Sequence, residues 1–255
     1  MRTFFHKVIM TIAGCTLTGC LTAQHGAVCF TFDDYHGENW LKAVPLFQKY
    51  DAHASFFIKG EITPEKIEVM KKLQTAGHTV GLHALHHKAA IPYIYEKSAK
   101  QYIDEEIMPQ LNVCEQNGLK IRSFAYPYNR RDEETDRMLF AFFDHLRAGP
   151  GSSGQPLLYP ARTLPDKSYL GGTGIGTRYK SDLNSLKHLL TQAAETDSIL
   201  VFYSHDIYPK AEHIHMPVEW LEELLAHARK SGMKIIGFDE LNSLKNSYSS
   251  GKAKQ

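Results

Sequence analysis

From residue 27 onward, short apolar runs alternate with longer amphipathic stretches. AVCFTF (27–32), ASFFI (54–58), HTVGL (78–82), IRSFAYP (121–127), HLRAG (145–149), SILVFYS (198–204) and MKIIGF (233–238) have the length and composition of strands. Between them, NWLKAVPLFQKY (39–50), PEKIEVMKKLQTAG (64–77), DEETDRMLFAFFD (132–144), SDLNSLKHLLTQAAE (181–195) and PVEWLEELLAHARKSG (217–232) repeat apolar residues at helical spacing. Pro64 suits the start of the second helix and Gly77 its end. A longer helical pattern runs from about Ile94 to Asn117, closed by Gly118. About seven β-α units in one chain predict a parallel sheet closed into a single (β/α) barrel, distorted or incomplete, rather than two domains. The glycine-rich segment from Gly149 to Lys180 is long for a connector, so it either lines a site or is an insertion. The barrel is expected over residues 27–245, followed by a disordered tail, NSYSSGKAKQ (246–255).

The first residues follow a different pattern. Arg2 and Lys7 flank the apolar run VIMTIAGCTL, which is too short to span a bilayer as a mature helix and so predicts a signal peptide. LTGC (17–20) resembles the bacterial lipobox, which implies a lipoprotein-type signal segment over residues 1–20, with Cys20 lipidated after cleavage, and a short tether over 21–26. IAGC at Cys15 fits with a thinner apolar core, and plain secretion with cleavage near Ala23 is the other alternative. All three place the mature protein outside the cytoplasm, and the lipobox reading makes it a lipoprotein of the bacterial envelope whose one membrane contact is the anchor. A net charge of +1 and a pI near 7.7 give no reason to expect nucleic acid as a partner. The remaining cysteines, Cys29 and Cys114, are too isolated for a disulfide framework and are expected as buried thiols.

The polar residues that matter sit at strand ends. Asp33 and Asp34 follow the first strand, His83, His86 and His87 the third, Tyr126, Pro127 and Tyr128 the fourth, and His205 and Asp206 the strand SILVFYS. The C-terminal strand ends of a parallel barrel converge on one face. His83 and His87, four residues apart, share a face on a helical turn, and two imidazoles with one carboxylate are a ligand set for an open catalytic metal site. His86 then points elsewhere. Asp206 is expected to be structural, because neighbours on a strand face opposite ways. Tyr35 and His36 are groove candidates, Trp40 a packing residue, and His213 and His215 weaker groove candidates.

TFDD (31–34), HALHH (83–87), FAYPYN (124–129) and SHD (204–206) together resemble the motif series of the polysaccharide deacetylases, carbohydrate esterase family 4, over about residues 27–241. The resemblance implies a divalent metal, zinc first, with cobalt or another divalent ion as alternatives, held by Asp34, His83 and His87. It implies Asp33 as general base, His205 as general acid, and the backbone N–H of Tyr128, after Pro127, as oxyanion donor. Three departures mark a divergent branch. Ala84 replaces the Ser or Thr that braces the histidine loop. Ala125 stands where an arginine usually pairs with the base, which leaves Arg147 and Arg122 as replacements. No aspartate that tunes the acid histidine is recognisable.

The expected activity is removal of acetyl groups, N-acetyl first, from an extracytoplasmic glycan by a monomeric enzyme. An O-acetyl esterase on hemicellulose or another acetylated glycan is the first alternative. A carbohydrate-binding lipoprotein with a silent site is the second.

Overall fold

The computed structural model describes residues 26–150, 157–179, 181–209 and 214–250. The signal segment, Cys20 and His213 lie outside the described residues. The strands are β1 (Ala27–Phe32), β2 (Ser55–Ile58), β3 (Thr79–Leu82), β4 (Ser123–Ala125), β5 (His145–Ala148), β6 (Leu158–Pro160), β7 (Ser168–Gly171), β8 (Thr173–Gly174), β9 (Ser198–Ser204), β10 (Asp206–Ile207), β11 (His215–Met216) and β12 (Lys234–Ile235). Along the path β9-β1-β2-β3-β4-β5-β7 every pairing is parallel. Gly172 alone separates β7, which pairs with β5, from β8, which pairs with β9, so one continuous segment joins the two ends of the sheet. Antiparallel β6 covers the other half of β9, and β12 fills in beside the start of β1. The result is the nearly closed (β/α) barrel that the alternation predicts.

Side-chain alternation sorts the core into two layers. Val28, Phe30 and Phe32 of β1 point outward with Phe56, Val80, Leu82, Phe124 and Leu146, and the helices pack on them. Ala27 and Cys29 point inward with Phe57, Ala125, Leu170, Ile199 and Val201. Inside β3, Gly81 leaves the room that Phe57 fills, since a Cβ there would lie 2.6 Å from the Phe57 ring. The helices are α1 (Gly37–Lys49), α2 (Pro64–Thr75), α3 (Ala90–Glu96), α4 (Ala99–Tyr102), α5 (Met108–Gln116), α6 (Glu133–Leu139), α7 (Leu183–Glu195), α8 (Val218–Lys230) and α9 (Leu241–Ser250). Among the described residues no helix is long and apolar enough to cross a membrane.

Two expectations change. The single helix over 94–117 is broken. α3 ends at Glu96, Ser98 caps α4 by accepting from Gln101 N–H at 3.0 Å, and a π-helical turn, Ile103–Ile107, joins α4 to α5. Pro109 has no N–H to offer the carbonyl four residues earlier, which favours the wider turn. The tail expected from residue 246 is helical to Ser250, because Tyr248 closes the barrel floor, its hydroxyl donating to Asp197 Oδ1 at 2.9 Å. Cys29 and Cys114 are buried free thiols, and burial pushes the Cys114 thiol up to about 12.

Two buried histidines make the fold acid-sensitive. His78 accepts from Ala54 N–H at 3.0 Å and packs against Phe47 and Phe56, and His145 lies 3.0 Å from the Ser168 hydroxyl. Burial depresses both to about 4. An unfolded histidine titrates near 6.5, so between roughly pH 6.5 and 4 the unfolded chain binds protons that the fold refuses. The stability these groups contribute is complete above that window and is lost as pH falls through it. Each should cost about 2 kcal/mol by pH 5. Urea unfolding of the chelated protein at pH 7 and pH 5 checks this, and His78→Gln should remove about half of the two histidines' combined share. Equal stability at the two pH values would contradict it.

Candidate active site

The C-terminal strand ends surround a pocket of about 400 Å³ lined by Asp33, Asp34, His83, His87, Tyr128 and His205, among others. β1 delivers the aspartates. Asp33 N–H donates to Ser204 O at 3.0 Å, extending the β1-β9 ladder, and its side chain is buried. Asp34 leaves the strand, with φ 77° in the left-handed region, held by Lys59 N–H donating to its carbonyl at 2.9 Å. This backbone kink, and not strand alternation, separates the two carboxylates. Five of the seven non-glycine residues with positive φ among the described residues are at the site: Asp34, Ala84, His87, Tyr128 and Asn129. Such conformations cost on the order of 1–2 kcal/mol each and persist where the surroundings hold them.

His83 Nδ1 lies 2.8 Å from the carbonyl of Ala125. A carbonyl only accepts, so Nδ1 carries the proton and Nε2 presents its lone pair to the pocket. His83 Nε2 and His87 Nε2 are 3.1 Å apart, and each is 3.8 Å from Asp34 Oδ1. Ligand atoms about 2.0–2.2 Å from one tetrahedral ion sit roughly 3.3–3.5 Å apart, so this triangle brackets the zinc geometry. Asp34 Oδ1 is also buried without a well-aligned hydrogen bond, although Lys59 Nζ is 3.0 Å away. Two imidazoles and an under-satisfied carboxylate oxygen therefore fit a divalent cation. Burial lowers His83 to about 4 and also lowers His87, which keeps both imidazoles neutral. Burial alone would raise the Asp34 carboxyl, but Lys59, His83 and His205 outweigh it and hold the group below the usual carboxylate range.

Asp33 has a different partner. Arg147, fully buried, forms an ion pair with Asp33 Oδ1 through Nη2 and donates from Nη1 to Asn129 Oδ1 at 3.0 Å. Its guanidinium lies between the rings of Phe57 and Tyr203, at 5.5 and 5.0 Å. Ala125 and Arg147 are register partners on β4 and β5, so the arginine missing at position 125 is supplied one strand over, where the small Ala125 leaves it space. Arg122 has no such place. It precedes β4 at the opposite end of the barrel and pairs with Asp144 at 3.2 Å.

His205 lines the pocket, and burial lowers its pKa against the opposing pull of Asp33 and Asp34. Its Nδ1 is buried with no hydrogen-bond partner among the described residues. Its backbone is fixed instead: Trp40 Nε1 donates to His205 O at 3.0 Å, and Asn39 donates to Asp206 at 3.0 Å. Asp206 is thus structural. Tyr35 and His36 pack on Trp40 and do not line the pocket. His215 bonds to Thr177 rather than facing the groove. Tyr126 lies at the pocket wall, but its buried hydroxyl donates to Asp136 at 2.8 Å, so its ring offers no face to a sugar. Pro127 is buried too. Tyr128 is exposed, with its ring 4.6 Å from that of His87.

Three supporting residues had no assigned role in the sequence pattern: Asn129, Lys59 and Glu106. The first two follow strand ends, the rule that finds the others. Glu106 lies on the π-turn, where no strand-end rule reaches. Its buried carboxylate accepts from His86 N–H at 2.8 Å and lies 2.9 Å from His86 Nδ1, and its carbonyl accepts from Leu85 N–H. This braces the loop between the two metal-ligand candidates, in the place that Ala84 cannot. Glu106→Ala should weaken zinc binding about 10–100-fold, with partial rescue in Glu106→Gln, measured by competition with a chelator. Wild-type affinity in Glu106→Ala would contradict the brace.

With the site in place, comparisons with known proteins bear on its class. Residues 21–140 match the family model for polysaccharide deacetylase, a stretch that includes the strand-end aspartates and the histidine loop. Over those residues the chain matches the polysaccharide deacetylase family, whose members are hydrolases, and the fold agrees. Peptidoglycan deacetylase PdaC from Bacillus subtilis is similar at TM-score 0.55 and 15% identity, over 90% of this chain and 96% of that one. The Xyl-CE4 domain of a multidomain xylanase from the Trinervitermes trinervoides hindgut metagenome is similar at TM-score 0.58 and 17% identity, over 87% and 92%. BA3943 of Bacillus anthracis, a CE4 family pseudoenzyme, is similar at TM-score 0.57 and 17% identity, over 85% and 65%. No curated protein matches the chain.

Proposed function

We propose that the protein is a zinc-dependent deacetylase that removes N-acetyl groups from an extracytoplasmic glycan. The carrying observation is that one pocket holds two adjacent carboxylates with different partners: Asp34 with His83 and His87, Asp33 with Arg147. A pseudoenzyme shares the fold, so the deacetylase reading rests on these residues and not on likeness of architecture.

Asp34, His83 and His87 would hold the cation, which when bound lowers the pKa of a water and polarises an acyl carbonyl. Asp33 is free of that ligand set and takes the proton from the attacking water. Arg147 fixes the Asp33 carboxylate and offsets its charge. The N–H of Tyr128, set by its positive φ, donates to the developing oxyanion. His205, entering the reaction as the imidazolium, gives its own proton to the leaving amine, and the cycle closes when Asp33 releases the water's proton and His205 takes one up from solvent. The signal peptide and Cys20 lipidation would place a monomeric enzyme at the cell envelope. Peptidoglycan deacetylases and a xylanase-borne domain both occur among the structural neighbours, so either polymer class is open to this chain.

One observation favours O-acetyl esters as a second reading. His205 Nδ1 has no carboxylate partner among the described residues and burial disfavours the imidazolium. An alkoxide leaves more readily than an amine and needs a weaker acid. The test is acetate release by wild type and His205→Ala from N-acetylated and O-acetylated oligosaccharides. N-deacetylation predicts release from the amide substrate that falls about 10²–10⁴-fold in the variant. Release confined to esters, with little dependence on His205, would replace it by the esterase.

A further inference from the structure

Asn129 lines both the catalytic pocket and a second groove of about 630 Å³, which Arg130, Arg131, Tyr169, Gly149 and Ile91 also border. Among the described residues no carboxylate lines it. Its floor is built: Arg131 is paired with Asp136 at 2.5 Å and stacks 4.1 Å over the Tyr169 ring, and the Tyr169 hydroxyl donates to Gly149 O at 2.9 Å. Arg131 is therefore neutralised, whereas Arg130 is exposed and makes no ion pair among the described residues.

Arg178 borders the catalytic pocket itself, also exposed and also without an ion pair among the described residues. The glycine-rich run that carries it is not a loose insertion. Gly176 has φ +105° and lies so close to His215 O that a Cβ would be 2.3 Å away, and Thr177 N–H donates to that carbonyl at 3.0 Å. Tyr179, which follows Arg178, packs on Tyr203 at 5.3 Å. Elsewhere, Arg122, Arg131, Arg147, Arg162 and Arg229 are all paired with carboxylates. Of the three described arginines that are not, Arg137 is on α6 and the other two border the pocket and its groove. The pocket's own carboxylates are occupied, Asp33 by Arg147 and Asp34 by the ligand set and Lys59. The whole chain carries only +1, so two arginines without ion pairs beside this pocket reflect placement and not a general excess of positive charge.

We infer that Arg130 and Arg178 recognise carboxylated sugars beside the acetylated one, so that the substrate is an acidic glycan. This rests on reading the site as a glycan deacetylase. A guanidinium matches a carboxylate with two parallel N–H donors, which a neutral polymer leaves unused.

The test uses zinc-loaded protein with two probes: a hyaluronan hexasaccharide, which alternates N-acetylated and carboxylated sugars, and neutral chitohexaose. Titration calorimetry at low salt should show the acidic probe binding about tenfold more tightly, the scale of two exposed ion pairs. The ratio should fall toward one in the Arg130→Gln/Arg178→Gln double variant and at high salt. Equal affinities in wild type, or a preference that survives in the double variant, overturns the inference. Acetate is measured in the same samples. Release without preference sinks the acidic-glycan inference and leaves the deacetylase standing. Preference without release supports the recognition and counts against the catalytic reading.

Discussion

Arg147→Met is expected to cost roughly 3–5 kcal/mol of folding stability and most of the activity. Asp33 is 3% exposed, and its ion pair is with a fully buried guanidinium. Removing one partner leaves a charge in the barrel interior with no water to solvate it. Asn129 also loses the donor at 3.0 Å that fixes its amide toward Tyr203. Arg147→Lys should be nearly as damaging, because an ammonium on a flexible stem cannot span Asp33 and Asn129 together while lying between Phe57 and Tyr203. The double variant Arg147→Met/Asp33→Asn should recover much of the stability and none of the activity. Since Ala125 and Arg147 are register partners, the exchange Ala125→Arg/Arg147→Ala should restore part of both. Urea unfolding and acetate release on the set decide it. A stable and active Arg147→Met would remove the pair from the account.

The second large effect separates the two aspartates. Asp33→Asn should lower acetate release about 10²–10⁴-fold while the protein still binds zinc close to wild-type affinity. Asp34→Asn and His87→Ala should lose zinc first and activity as a consequence, because Asp34 Oδ1 lies 3.8 Å from both imidazole nitrogens. Asp33→Asn also strips Arg147 of its counter-charge, so activity must be scaled to the folded fraction. Calorimetric zinc titration alongside activity separates the roles. Equal loss of zinc in all three variants would show that the carboxylates share one task.

Much of this site is legible in the sequence because a parallel barrel gathers strand ends. That rule places Asp33, Asp34, His83, His87 and His205 in one pocket, and it selects Arg147. It fails for Arg122, which stands before its strand and not after it. It fails for the Tyr126 ring because alternation on β4 turns Ala125 inward and Tyr126 outward onto Asp136. The left-handed backbone of Asp34, Ala84 and His87 has no glycine to announce it, so the device that splits the two carboxylates is invisible in the residue types. Glu106 is hidden for another reason. It looks like one more helical glutamate, and only the π-turn aims it at the histidine loop. The helical end of the chain was obscured by its serine-rich composition, although Tyr248 and Leu244 pack into the barrel floor.

The most direct test of the central claim is acetate release from a panel of acetylated oligosaccharides. It compares chelated wild type, zinc-restored wild type and zinc-restored Asp33→Asn. The account predicts release from at least one panel member only by zinc-restored wild type, with loss on chelation and at least about a hundredfold loss in Asp33→Asn. Release that persists after chelation, full activity in Asp33→Asn, or binding of the oligosaccharides with no acetate released by any sample would contradict it.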